Sequence, residues 1–232
     1  LELVKNRNGR IGTSIGGPTN SFQDIVREDD EGNEVRLPKP SVVPMTIYPN
    51  AEGTAVAIMI DGGETLVLEP GEWSDFTTIT YSMLPMGASD MNGIVRFYLR
   101  SIEPEFEMYM SPVNMDPMAP AAVISEPQDA AANLAGDIGL YYTQGMAEDV
   151  GAYKKGMLTT KEFMDQVELV YTERNRMLDT ALTRYMDKQD GGLLFFYYST
   201  VDLGSHMMWR LTDPTHPAYD AELAHQDSAW WS

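Results

Sequence analysis

An unbroken apolar run at residues 193–198 constrains the fold more than any other stretch, because it holds no charge and follows a double glycine. Its length and aromatic content predict a strand buried on both faces of a sheet. Asp202 follows the run, and His206 comes four residues later. Active sites of open α/β sheets lie at the carboxyl ends of strands, so both side chains are predicted to point into one crevice. Such a pair has the geometry of two ligands on one metal ion.

The same segment, together with the residues that follow it, resembles a known protein family. LLFFYYSTVDLGSHMMWR, followed by DPTHPAYD, resembles the metal-binding segment of type I phosphodiesterases and nucleotide pyrophosphatases, a branch of the alkaline phosphatase superfamily. Three further stretches resemble the same branch: GEWSDF (71–76), FYLRSIEPEFEMYMSPVNMDP (97–117) and YYTQGMAEDV (141–150). The resemblance covers most of the chain. It implies an α/β fold, namely a fragment of an alkaline-phosphatase-like core with a β-rich insertion subdomain.

The resemblance also implies a chemistry. In that family an Asp-x-x-x-His pair binds one zinc of a two-zinc site, and Asp202 and His206 match the pair. Manganese is the alternative ion. A Thr or Ser nucleophile attacks the phosphorus of a small phosphorylated substrate, and the second zinc stabilises the other oxygen of the displacement.

Most of that machinery is not found in this sequence. The family's nucleophile with its Asp partner, which lies upstream, and its downstream Asp-His pair have no match here. The chain begins at Leu1 without an initiator Met and stops at Ser232, and both ends read as cuts in a longer protein. We therefore expect half of one metal site and an inactive fragment, whose parent protein hydrolyses a phosphodiester or a phosphomonoester.

Other interpretations stay open. Asp202 alone is explained as a cap of the following helix, and His206 as a residue that packs beside Trp209. His216, between two prolines, is predicted at the surface or behind the ligands, and His225 in solvent. The chain as a whole also fits a non-catalytic module that binds a carbohydrate or a protein, or a complete small hydrolase with a hydroxyl nucleophile near Thr13.

Composition narrows the range of partners. Thirty-five acidic and sixteen basic side chains give a formal net charge of −19. The electrostatic field of this negative charge repels a phosphate backbone, which argues against binding of a nucleic-acid polymer. Cysteine is absent, which excludes disulfides, thiolate zinc sites and cysteine nucleophiles. No apolar run approaches the roughly 20 residues of a transmembrane helix, and no secretory signal is visible, so we expect a soluble chain.

The chain is predicted to contain two parts. Residues 1–118 read as a β-rich insertion subdomain with an N-terminal stub, and residues 119–232 as an α/β core segment that carries the Asp-x-x-x-His motif. Short β-like runs between residues 51 and 109 resemble an antiparallel meander. In the resembling family such insertions border the active site and help to select the substrate.

Local signals in the first part predict turns and strand edges. The Gly-rich stretch up to Gly17 is predicted as a turn beside a strand, and it lacks the Gly-Lys-Ser/Thr of a P-loop. VREDDEGNEVRL at residues 26–37 predicts a hairpin. Trp73 is predicted to cap a hydrophobic layer, with stacking on a sugar or base as the alternative. Four prolines confine the strand that contains them to a sheet edge: Pro38, Pro40, Pro44 and Pro49.

Local signals in the second part predict helices. Ser125 is the predicted N-cap of a helix that ends near residues 136–139. A short helix is predicted at residues 148–155. Thr159 and Glu162 form a capping box that opens a long helix, which ends before residues 189–192. The last predicted helix covers residues 220–231.

Overall fold

The computed structural model describes residues 4–5, 9–84, 89–188 and 191–226. It divides the chain into two compact units, Leu1–Ile124 and Ser125–Ser232, whereas the sequence pattern predicts the change near Ala119. The described elements of the first unit are β-strands, and those of the second are helices. The fold is therefore mixed, with α and β structure and open sheets.

The strands of the first unit form three antiparallel sheets. The largest has the order β1-β2-β3-β4-β5, and two three-stranded sheets have the orders β10-β9-β6 and β11-β8-β7. Inward-facing Ile and Val side chains of the large sheet pack with Tyr81, Phe97 and Leu99 in one hydrophobic core. The bounds are β1 Val4–Lys5, β2 Ile11–Glu28, β3 Glu34–Pro49, β4 Val56–Ile60, β5 Thr65–Leu68, β6 Glu72–Trp73, β7 Thr77–Ser82, β8 Asp90–Val95, β9 Phe97–Ser101, β10 Glu107–Met110 and β11 Asn114–Met115.

The predicted hairpin is confirmed as the connection between β2 and β3, which pair from Ile11↔Ile47 to Glu28↔Glu34. Asp29 organises its turn, because its Oδ1 accepts from the backbone N–H groups of Glu31 and Asn33 at 3.0 and 2.8 Å. The side chain of Asp29 therefore replaces part of the backbone hydrogen bonding that the turn interrupts.

The prediction of an edge strand for the four prolines is wrong, since β3 lies between β2 and β4. Its pairing with β4 begins only at Met45. Pro38, Pro40 and Pro44 therefore lie where β3 has β2 as its single ladder neighbour. A proline lacks the backbone N–H, so it is tolerated where one side of the strand needs no donor.

The prediction of a Gly-rich turn is also wrong, because Gly12, Gly16 and Gly17 lie within β2. The pairing register slips between Gly16 and Thr19. A Cβ added at Gly17 would overlap the ring of Tyr81, which is 1% exposed. A β-strand glycine often marks the close approach of another group, and here the ring of Tyr81 takes the space.

The second unit contains the predicted long helix. Its described helices are α1 Ala130–Ile138, α2 Val150–Lys154, α3 Thr160–Met186, α4 Ser199–Thr212 and α5 Ala221–Gln226. The capping box of α3 is confirmed, with Glu162 N to Thr159 Oγ1 at 3.3 Å and Thr159 N to Glu162 Oε2 at 2.7 Å. The first helix begins later than predicted, with Asp129 at its N-cap position. The predicted stop at residues 189–190 and the helix beyond residue 226 lie outside the described residues.

The predicted buried strand at residues 193–198 is wrong, and with it the α/β character of this unit. The segment has no ladder partner, and Leu193 and Phe195 are 90% and 81% exposed. A strand requires a neighbouring strand for its N–H and C=O groups, and the described residues of this unit supply none. Along the described part of the chain, no helix combines the length and apolar character that a membrane crossing requires.

Candidate metal-binding site

Asp202 and His206 lie one turn apart on α4. The period of 3.6 residues places side chains at positions i and i+4 on the same face of a helix. Asp202 Oδ1 and His206 Nε2 are 3.3 Å apart, and the two side chains are 45% and 71% exposed. The predicted juxtaposition of this carboxylate and imidazole is therefore present, although a helix and not a strand end produces it.

The interpretation of Asp202 as a helix cap does not agree with its position. The N-cap residue of α4 is Tyr198, and no side chain caps the helix. Asp202 is the fourth residue of α4, inside the first turn. Its negative charge interacts favourably with the helix dipole there, and its Oδ1 faces His206 Nε2.

The pair opens onto a cavity of about 630 Å³. Aromatic rings form much of the wall, and the exposed side chains of Tyr197 and Trp209 are among them. His216 also lines the cavity. The sequence predicted a position at the surface or behind the ligands for this residue. The lining residues are Tyr197, Tyr198, Val201, Asp202, Ser205, His206, Trp209 and His216.

Contacts with α3 and α2 hold α4 at both ends. Tyr198 Oη donates to Asn175 Oδ1 at 2.6 Å, and its ring lies 5.9 Å from the ring of Tyr171. Burial raises the pKa of the Tyr198 hydroxyl, and the nearby Tyr171 and Asp179 raise it further. At the other end, Arg210 Nη2 donates to Tyr153 Oη at 2.8 Å. The helix that carries the pair is thus fixed independently of any ligand.

The loop that follows α4 places His216. Asp213 Oδ1 accepts from Thr215 N and Thr215 Oγ1 at 2.8 and 2.7 Å. These hydrogen bonds hold the pKa of the Asp213 carboxyl below its ordinary value. His216 N donates to Asp213 O at 2.9 Å, and Tyr219 N donates to His216 O at 2.9 Å. The imidazole is therefore carried by a hydrogen-bonded turn.

The donor set suits zinc but is small. One carboxylate and one imidazole are both usual zinc ligands. Among the described residues, no group of three or more His, Cys, Asp or Glu side chains is arranged to hold an ion. Asp202 and His206 could therefore contribute two ligands, and further ligands would have to be water, substrate or groups outside these residues.

Trp73 and Thr13, the other two positions for which the sequence suggested a functional role, both lie in packed surroundings. The ring of Trp73 lies 5.1 Å from that of Tyr98 and 5.6 Å from that of Tyr109, as a residue that closes a hydrophobic layer would. The hydroxyl of Thr13 is buried in β2 without a hydrogen-bond partner, so no base activates it within the described residues. Neither position offers an exposed reactive group.

Comparisons with protein-family models, with curated proteins and with solved structures find no match to this chain. The resemblance to type I phosphodiesterases therefore stays a prediction. The positions of Asp202 and His206 on α4 support metal binding independently of this resemblance.

Proposed function

We propose that Asp202 and His206 bind one divalent metal ion, with zinc as the preferred ion and manganese as the alternative. The observation that carries this proposal is the separation of 3.3 Å between Asp202 Oδ1 and His206 Nε2. Two ligand atoms that each lie about 2.1 Å from a tetrahedral ion are about 3.4 Å apart. The two side chains therefore already have the spacing that a shared ion requires, and they are accessible from solvent.

We further propose that this pair belongs to a metal-dependent phosphoryl hydrolase of the phosphodiesterase and nucleotide pyrophosphatase type, built on an alkaline-phosphatase-like core. The match of Asp202 and His206 to the Asp-x-x-x-His motif supports this assignment. A bound zinc ion would polarise a phosphoryl oxygen and offset the charge that develops on it. In this proposal the nucleophile and the remaining ligands come from outside the described residues, and we expect the chain by itself to be inactive.

The metal proposal is tested by calorimetric titration of the chain with zinc. We expect one zinc ion per chain, bound with modest affinity because the protein supplies two ligands. Asp202→Asn and His206→Ala should each weaken binding at least about tenfold, as loss of a ligand or of its support does in known sites. His225→Ala is the control, because His225 does not line the cavity and its loss should leave the zinc affinity unchanged.

Zinc that binds equally well to the Asp202 and His206 variants would contradict the proposal. In that case the non-catalytic binding module becomes the better interpretation of the chain. Circular dichroism of each variant would show that the helices are intact, which is expected because both side chains are substantially exposed.

The hydrolase proposal is tested with a chromogenic phosphodiester and a chromogenic phosphomonoester, in the presence of zinc or manganese and then of a chelator. We expect no turnover from this chain. Turnover that the chelator abolishes, and that is lost in His206→Ala, would show that the chain contains a whole active site. The expectation of an incomplete site would then be wrong.

A further inference from the structure

His216 faces the same cavity as Asp202 and His206, and its ring nitrogens are not equivalent. Its Nδ1 accepts a hydrogen bond from the backbone N–H of Ala218 at 3.1 Å. A neutral imidazole carries a single proton, and a nitrogen that accepts a hydrogen bond must keep its lone pair. The proton of neutral His216 is therefore on Nε2, which makes Nε2 a donor.

This tautomer decides what His216 can do beside a metal ion. A histidine binds a metal through an unprotonated nitrogen. While Nδ1 accepts from Ala218, Nε2 carries the proton and cannot be a ligand.

We infer that His216 is a substrate-binding residue, whose Nε2–H donates to an oxygen of a phosphate or phosphoryl group held at the Asp202–His206 metal ion. The inference rests on the proposed function, because the anion is brought to the cavity by the metal. The ring lines the cavity, and Nδ1 is held against the backbone of its own turn. Hydrogen bonds between an imidazole N–H and an anionic oxygen are among the stronger ones in proteins.

The turn itself keeps the donor in place. Residues 213–219 are linked by Thr215 N to Asp213 Oδ1, His216 N to Asp213 O and Tyr219 N to His216 O. A donor on a preorganised turn loses little entropy when an anion binds.

The first experiment is direct and needs no metal. Long-range ¹H–¹⁵N correlation spectra at about pH 8, above the ordinary imidazole pKa of about 6.5, report which ring nitrogen carries the proton. We expect the Nε2–H tautomer for His216. A dominant Nδ1–H tautomer would overturn the inference.

The second experiment separates metal binding from anion binding. Zinc and then inorganic phosphate are titrated into the wild-type chain, His216→Ala and His216→Gln. We expect zinc affinity to change less than about twofold in both variants. We expect phosphate to bind the zinc-loaded His216→Ala at least about tenfold more weakly, since a hydrogen bond to a charged group is lost. His216→Gln should recover much of the affinity, because the amide nitrogen of glutamine can donate from a similar position.

The outcomes distinguish the two proposals. Failure of zinc to bind the wild-type chain would end the proposed function and this inference together. Normal zinc binding with phosphate affinity unchanged in His216→Ala would overturn the inference alone. A loss of zinc affinity of tenfold or more in His216→Ala would make His216 a metal ligand and also overturn it.

Discussion

Gly17 shows how one residue without a side chain positions a large buried ring. Tyr81 lies against the backbone of β2 at Gly17, and its Oη donates to Gly16 O at 3.1 Å. The ring occupies the volume that any Cβ at residue 17 would need. Two sheets of the first unit are joined at this point, because Tyr81 belongs to β7 and Gly17 to β2.

We predict that Gly17→Ala destabilises the first unit by about 1–3 kcal/mol, the usual cost of overpacking a filled core. Hydrogen exchange of the β7 and β8 amides measures this loss within the first unit, whereas a global transition of a chain with two units mixes the contributions of both. The matched control is Gly16→Ala, where an added Cβ meets nothing within 4 Å. Equal exchange rates in the two variants would show that Tyr81 can move away without cost.

Sequence reasoning found the residues whose neighbours are set by local spacing. Asp202 and His206 meet because they are four residues apart, which is visible in the sequence. The contact between Gly17 and Tyr81 joins residues that are 64 positions apart, and no local pattern reports it. No local pattern reports the place of His216 in the cavity either, since it depends on how the turn folds back on α4.

At the scale of elements, α3 holds the loop before α2 by binding the backbone N–H and C=O of one residue, Tyr142. Glu173 accepts from Tyr142 N at 3.1 and 3.2 Å through its two oxygens. Arg174 donates through Nη1 and Nη2 to Tyr142 O, and through Nη2 to Gln144 O at 3.1 Å. Both residues are 8% exposed, and Arg174 Nη1 lies 3.4 Å from Glu173 Oε1. The two neighbouring helical residues thus satisfy both backbone polar groups of Tyr142.

We predict that Arg174→Met destabilises the second unit by about 3–5 kcal/mol, because Glu173 would be left buried without its cation. The thermal transition of the helical circular dichroism signal measures this change. Arg176→Met is the control, because it removes the same charge from an exposed position of α3. The double variant Arg174→Met with Glu173→Gln should lose less free energy of unfolding than the sum of the two single variants. Strict additivity would contradict a coupling between the two side chains.

The sequence predicted α3 well but not the burial inside the loop before α2. The capping box is a signal within one element, and it is present in α3. The burial of Tyr141 and Tyr142 in the loop depends on contacts with α3 that no local pattern reports. The strand predicted at residues 193–198 failed because its formation depends on a partner strand, which its own residues cannot specify.

At the scale of the molecule, a large negative charge coexists with an exposed apolar segment. Leu193, Phe195 and Tyr197 are 90%, 81% and 56% exposed, and residues 193–198 have no ladder pairing. Extended apolar chain with unpaired backbone groups tends to pair with other chains. The net charge of −19 opposes such contacts at low salt.

We therefore predict that the chain self-associates as salt is added, because the screening length falls from about 10 Å at 0.1 M to about 3 Å at 1 M. Phe195→Lys should suppress the association seen by sedimentation velocity. Phe22→Lys is the control, because it adds the same charge at a phenylalanine that is 66% exposed in β2, outside residues 193–198. Equal suppression by both variants would assign the effect to net charge alone.

The β2–β3 hairpin has a practical consequence for anyone who needs to attach something to this protein. Every residue from 26 to 40 is exposed, so the outer half of the hairpin adds nothing to the core. Its turn is closed by the side chain of Asp29 and by Gly32, which has φ 81°. A fluorophore or a small tag inserted beside Glu31 would extend from the end of a paired ribbon. The label would report on the orientation of the first unit while leaving its packed interior unaltered.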